Sequence, residues 1–409
     1  MSENVILDLV IIGAGPAGAT AAISALRADA SLKLMIVDKA AFPRDKPCGD
    51  GLGPGVVSVL REIGFENIVS EELPISGCTV FGPDGTGFSS PLPTIRGQEI
   101  VGYVVPRTTF DLRLVQAAKS LGADLREGWR FLGLSQTASV VSLDFETPNG
   151  PQRVMARAVI GSDGANSRVR ASLNVKRNTD RMTGIAIRAY ANVESIPAER
   201  HLVFEWSENL LPAYAWYFPA SDNSVNIGLG LVVHDRKKRA INLKDHLDSF
   251  VSMLEAHGMK VSEVRDEKSY ILPHGARIPR LTHGRVMLIG DAGSMINPLS
   301  GEGIFYGMAA GVLAGEAIGK TSGNDDPESV FRHAERAFRK RFVWHFRSNY
   351  FASVMLRSRS WAKLVIRAAS NDSGVLASGV ELLFGEGVIT ASTTRKILWH
   401  GLRRSKSKT

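Results

Sequence analysis

The sequence predicts an α/β chain in which a βαβ unit built on a parallel sheet is interleaved with an antiparallel-sheet unit and followed by a helical C-terminal region. Three patterns predict it: a glycine turn between two apolar runs near the N-terminus, strict alternation over Thr183 to Val233, and helical periodicity beyond Pro327. With 409 residues, 44% hydrophobic and 22% charged, the chain is long enough for two or three domains and has an ordinary globular balance.

In chain order, the run Asp8 to Ile12 ends at Gly13-Ala14-Gly15-Pro16-Ala17-Gly18, and Ala19 to Arg27 reads as a helix. Leu32 to Val37 is a second apolar run closing at Asp38, so strand, glycine turn, helix, strand and acid follow one another within about 35 residues. Thr108 to Leu121 carries Phe110, Leu114, Val115 and Ala118 at helical spacing. Tyr214, Trp216 and Phe218 alternate along one strand and Val225, Ile227, Leu229 and Leu231 along the next, joined by the turn signal Ala220 to Ser224. Arg285 to Ile289 is a short buried strand leading to Gly290-Asp291, and Gly303 to Gly319 is a helix whose Gly307, Ala310, Gly311, Ala314 and Gly315 suit close packing. The βαβ pieces are scattered, which predicts interleaved domains.

Cys48 and Cys78 are too few for a disulfide framework, and the N-terminus reads as a strand, not as a signal peptide, which points to the cytoplasm. No run of 18 uncharged apolar residues suggests a membrane span. The net charge is +8, yet residues 328–409 hold 16 Lys and Arg against 5 Asp and Glu, so the positive excess belongs to the tail. The segment Arg332 to Arg367 mixes basic residues with Phe342, Trp344, Phe346, Tyr350, Phe351, Trp361 and Leu364, and the chain ends in Arg403, Arg404, Lys406 and Lys408. This predicts peripheral contact with anionic membrane on its cytoplasmic face, and no nucleic-acid partner.

Gly13, Gly15 and Gly18 suit a dinucleotide: the first permits the turn, the second admits a pyrophosphate, and the third lets helix and strand pack. Asp38 stands where a carboxylate accepts ribose hydroxyls. Two further glycine-acid turns follow apolar runs, Gly161-Ser162-Asp163-Gly164 and Gly290-Asp291. Together the three resemble the fingerprints of the p-hydroxybenzoate hydroxylase-like class of FAD enzymes over Leu7 to about Gly319. The resemblance implies that Asp291 meets the ribityl chain, that Asp163 holds its turn beside the cofactor, and that Arg107 lies on the phosphate or adenosine side. The competing reading of Arg107 is a surface partner of Asp111. Ala17, Lys39, Cys48, Gly49, Gly164 and Gly290 complete the expected cofactor contacts. Pro298, Gly301 and Gly303 open a helix whose positive end suits a reduced flavin, and Glu302 reads as a first-turn carboxylate, not a base.

Pro47-Cys48-Gly49-Asp50-Gly51, Tyr214-Ala215-Trp216-Tyr217-Phe218-Pro219 and Asn297-Pro298-Leu299-Ser300-Gly301-Glu302-Gly303 resemble the geranylgeranyl reductase family. That resemblance implies reduction of isolated C=C bonds in a polyprenyl lipid or menaquinone tail, with FAD recharged by NAD(P)H or a ferredoxin-like protein. It implies a Rossmann-like FAD-binding domain in residues 1–55, 100–170 and 280–325. An antiparallel-sheet substrate domain falls in 56–99 and 171–279, and a basic amphipathic helical region in 326–409. Tyr214, Trp216 and Phe218 are the expected aromatic wall for the chain, and Gly228 the bare strand against which it lies. Cys48 and Tyr214 are the candidate proton donors, with Trp216 beside them. Halogenases of this fold carry Trp-x-Trp-x-Ile-Pro, and Tyr214 and Phe218 depart from it. A flavin-dependent halogenase or aromatic hydroxylase is thus the alternative, and a flavin-free prenyl-protein chaperone a third reading, which the complete glycine and Asp set opposes.

Overall fold

A strand with neighbours on both sides and helices above and below must be apolar on both faces, and in Ile6–Ile12 the residues Leu9, Val10 and Ile11 are fully buried. In the computed structural model, which describes residues 6–95, 97–321 and 326–402, this strand lies parallel to Leu34–Asp38 on one side and Gly150–Gly161 on the other. Gly150–Gly161 pairs antiparallel with Val141–Thr147 along its first residues and parallel with Val286–Leu288 along its last. Ile12 is in register with Val37 and Gly161, and Gly161 with Leu288. The three glycine-acid turns therefore leave the same edge of one eight-stranded sheet, outside the carboxyl ends of its parallel strands, where α/β folds bind ligands.

Helix Pro16–Ala28 crosses helix Ile304–Gly319 almost backbone to backbone. A Cβ at Gly311, Gly315 or Gly319 would overlap the carbonyl of Ala17, Ala21 or Ala25, so the small residues of the later helix are packing residues, as expected. Helix Pro54–Glu62 joins this core through Val56, Val59 and Leu60, followed by Ile63, Ile68 and Val69. These side chains, in a stretch expected to open the substrate domain, bury in the FAD-side core as far as Val69.

The second sheet has seven strands, in the order Ser262–Pro273, Thr183–Asn192, Ser224–Val232, Ala215–Pro219, His201–Glu205, Gly77–Phe81, Gly87–Pro91. Alternation assigns its faces: Tyr217, Val225, Ile227 and Leu229 pack with Leu247, Phe250 and Leu254 of helix Leu243–Ala256, while Phe204, Trp216 and Phe218 turn to the other side.

The long helix Pro327–Met355 seals the first core with Phe331, Phe338, Phe342 and Phe346, all fully buried. This corrects the expectation that Phe342 and Phe346 belong to a membrane-facing surface. Arg359–Asn371, Ser373–Phe384 and Ala391–Leu402 follow as helices, and Arg403, Arg404, Lys406 and Lys408 lie outside the described residues. Among the described residues no helix is long and apolar enough to cross a membrane. Gly315→Val, which forces the two central helices apart, should lower unfolding free energy by about 1–3 kcal/mol in urea titrations. An unchanged midpoint would contradict the backbone-to-backbone packing.

Candidate active site

The glycine loops interlock before any ligand is considered. Gly13 has φ +102°, and a Cβ there would collide with the backbone of Ser162, whose hydroxyl donates to the Gly13 carbonyl at 2.7 Å. Asp38, 7% exposed, accepts from the amides of Ala14 and Ala40, both at 3.0 Å, with the Arg44 guanidinium at 3.4 Å. It sits at the strand end predicted for a ribose-binding acid; neither it nor the exposed Lys39 beside it is among the residues lining the cleft. Asp163 accepts from the Ser167 hydroxyl and from the amides of Arg168 and Val169 at 2.7 and 3.2 Å. It thus fastens its turn, and the neighbouring Gly164 reaches the cleft.

A cleft of about 210 Å³ opens between the two sheets. Its cofactor side is largely backbone: Gly15, Pro16 and Ala17 at the N-terminus of the first helix, together with Gly164, Gly290, Gly301 and Gly303. Gly49, Pro298 and Ser300 complete this rim. Arg107 is a wall residue, not a surface one: it is 2% exposed and grips Asp111 through two bonds of 2.6 and 2.7 Å. Asp291 takes a 2.9 Å ion pair from Lys46, whose ammonium also lies 4.9 Å from the centre of the Tyr270 ring. Glu302 accepts from the Phe305 amide at 2.7 Å, the first-turn role expected of it. Burial nevertheless lifts its carboxyl from 4.5 to about 7, against the Phe305 and Ile304 amides. Amides at a helix start, a ribose-type acid and a glycine-lined cleft fit an extended dinucleotide such as FAD.

The far side of the cleft is the aromatic wall, with Tyr214, Trp216 and Phe218 all lining it as expected. Gly228 corrects the sequence reading: a Cβ there would overlap the Trp216 ring, so the bulky group against this strand is the protein's own indole. The Trp216 indole N–H donates to Asn226 Oδ1 at 2.9 Å, and Asn226 Nδ2 donates to the Cys48 carbonyl and to Asp50 Oδ2, both at 2.8 Å. The Tyr190 hydroxyl donates to the same Asp50 oxygen at 2.5 Å. Asp50 is fully buried with φ +61°, and burial raises its carboxyl from 3.8 to about 6 despite Tyr190 and Asn226. The motif Pro47-Cys48-Gly49-Asp50-Gly51 contains Asp50 without a role of its own, and Asn226 stands unassigned in the strand pattern. The available signal was an amide-bearing residue interrupting the apolar alternation Val225, Ile227, Leu229. Burial also raises the Cys48 thiol, which lies within electrostatic reach of Arg107, Asp50 and Glu302. The Tyr214 hydroxyl, also raised by burial, donates to the Ser300 carbonyl at 2.5 Å.

Behind Phe218 a second cavity of about 360 Å³ lies between the sheet strands bearing Cys78, Val80 and Phe204 and the C-terminal helices. Among the described residues that line it, none is charged. Gly51, Phe218, Leu299 and Phe384 line both cavities and form the partition between them. Nothing in the sequence announced this chamber, because its walls come from segments more than 200 residues apart.

Residues 7–345 match the model of the FAD binding domain family. The menaquinone reductase of Mycobacterium tuberculosis is 31% identical over 323 residues, 78% of each chain. The chain is an FAD-dependent oxidoreductase of the geranylgeranyl reductase family. A digeranylgeranylglycerophospholipid reductase of Methanococcoides burtonii is 26% identical to this family member over 340 residues, 82% of this chain and 80% of its own. In fold, a geranylgeranyl bacteriochlorophyll reductase-like protein of Thermoplasma acidophilum superposes with a TM-score of 0.81 at 23% identity, covering 97% of this chain and 96% of its own. A flavin-dependent halogenase shares the fold more distantly, with a TM-score of 0.67 at 20% identity over 97% of this chain and 70% of its own.

Asp50→Ala should cost about 1–3 kcal/mol for each donor left unpaired, while Asp50→Asn keeps an acceptor for both and should restore most of that. Because the folded-state pKa of Asp50 is raised, its contribution to stability is full below about pH 4 and lost as pH rises through about 6. Asp50→Asn should therefore gain on the wild type across that window in urea unfolding. A constant difference from pH 4 to 7 would show that Asp50 is not the buried acid described.

Proposed function

We propose that the protein saturates isolated C=C bonds of a polyprenyl chain carried by a lipid or a quinone. The observation that carries this reading is the uncharged chamber that meets the FAD cleft at Phe218 and Phe384. A prenyl chain has no polar handle, so it can be held only by burial of apolar surface, at about 0.8 kcal/mol per CH₂-sized group. Side chains such as Val80, Phe204 and Trp361 supply that surface, and Tyr103, Ser378, Thr393 and Thr394 are the few hydroxyls among them.

In the cleft, the pyrophosphate of FAD would lie on the Gly13 to Gly18 turn, its ribose on Asp38 and its ribityl chain near Asp291. When bound and reduced by NAD(P)H or a ferredoxin-like donor, FAD supplies a hydride. The alkene needs a proton on its other carbon in the same event, since neither addition alone gives a stable product. Of the two expected donors, Tyr214 has its proton engaged by the Ser300 carbonyl, so the Cys48 thiol is assigned as the proton source. The raised thiol keeps that proton at neutral pH until an acceptor is positioned. Arg107 opposes the shift and steadies the thiolate that remains, before water returns the proton. Trp216, fixed by Asn226, holds the chain flat and keeps water from the reacting carbons.

The reading is tested by anaerobic incubation of the reduced holoenzyme with menaquinone and with geranylgeranylated lipids. Mass spectra should show gains of two hydrogens per bond; substrate-dependent oxygen consumption or a halide-dependent product would select the oxygen-using alternative instead. Cys48→Ala should lower turnover by about 10²–10⁴-fold with the flavin spectrum intact. Wild-type turnover in that variant would remove Cys48 as the donor.

A further inference from the structure

Two helices leave apolar side chains in water, and both border the chamber. On the long helix, Lys340, Trp344, Arg347, Phe351 and Val354 recur at spacings of four and three, which puts them in one stripe about 21 Å long. Trp344, Phe351 and Val354 are 69%, 57% and 44% exposed, and the Arg347 guanidinium lies 5.1 Å from the Trp344 ring centre. On the last helix, Arg395, Leu398 and Leu402 share an exposed face, while Thr393, Thr394 and Ile397 line the chamber. Phe351 and Val388 do both: they line the chamber and stand in solvent, which marks its mouth.

The two stripes are held at that mouth together. The loop between the last two helices is fastened to the long helix by the Ile389 amide donating to the Ser348 hydroxyl at 2.7 Å and by the Arg341–Glu386 ion pair. Neither Lys340 to Met355 nor Ala391 to Leu402 contains an Asp or Glu. Exposed aromatic and aliphatic groups interleaved with basic side chains, around the opening of an apolar cavity, match the boundary between headgroups and acyl chains of an anionic bilayer. Two copies of the chain meeting on this face would bring like charges together, which opposes self-association there.

We infer that this face docks the protein on a lipid bilayer. Trp344, Phe351, Val354, Leu398 and Leu402 enter the interface, and Lys340, Arg347, Arg395 and Lys396 meet anionic headgroups. The chamber then receives its prenyl chain through Phe351 and Val388 without passing it through water. This rests on the prenyl-lipid reading above, and it moves the expected membrane contact from the whole basic segment to two stripes at one opening.

The test is flotation of the FAD-loaded protein with phosphatidylcholine vesicles containing about one-third phosphatidylglycerol, beside phosphatidylcholine alone. The wild type should float with the anionic vesicles, less so at high salt. Trp344→Ser/Leu398→Ser, which replaces no residue of the chamber lining, should lower vesicle binding about tenfold or more. The same variant should keep its turnover on a short prenyl substrate dispersed in detergent. Wild-type flotation by this variant would overturn the docking face, as would a wild-type dimer that the double substitution splits. Absence of turnover in detergent by the wild type would count against the prenyl reading itself, whatever the vesicles show.

Discussion

The side-chain amide of Asn226 is the point on which the active site depends. It interrupts an apolar strand, is fully buried, and spends its oxygen on the Trp216 indole and its nitrogen on the Cys48 carbonyl and the Asp50 carboxylate. Buried polar groups of this kind are tolerated only when paired, so the three partners must arrive together. One of them belongs to the antiparallel sheet and two to the glycine loop that leaves the FAD-side sheet. The amide thereby sets the distance between the aromatic wall and the cofactor cleft, and it orients the loop that carries the thiol.

The same arrangement would position the proposed prenyl substrate, which has no polar features. Apolar burial is strong but non-directional: a five-carbon prenyl unit gains about 3–4 kcal/mol on leaving water, wherever in a greasy cavity it lies. Selection of one double bond must come from shape. Phe218 and Phe384, which belong to both cavities, narrow the way between chamber and cleft, and among the described lining residues the charged ones stand only on the cleft side. Charge is thus kept to the cleft side, and among the described lining residues the chamber has none.

Much of this was legible in the sequence. The glycine-acid turns and their strands follow from spacing, because each turn requires its residue types at fixed positions. The period-2 run correctly placed Tyr214, Trp216 and Phe218 on the cleft. Contacts between distant segments were not legible. Gly228 read as space for a substrate because nothing local says that Trp216 fills it, and Phe342 and Phe346 read as surface because an amphipathic helix does not declare which partner covers its apolar stripe. The chamber itself, and the pairing of Lys46 with Asp291, depend on chain segments brought together only by the fold.

The most direct measurement is a crystal structure of the FAD-loaded protein with a bound polyprenyl ligand too long for the cleft alone. The account predicts density running from the mouth at Phe351 and Val388 through the chamber, past Phe218 and Phe384, with one double bond in the cleft beside Cys48. A ligand confined to the cleft, or lying on the outer surface with the chamber filled by side chains, would contradict it.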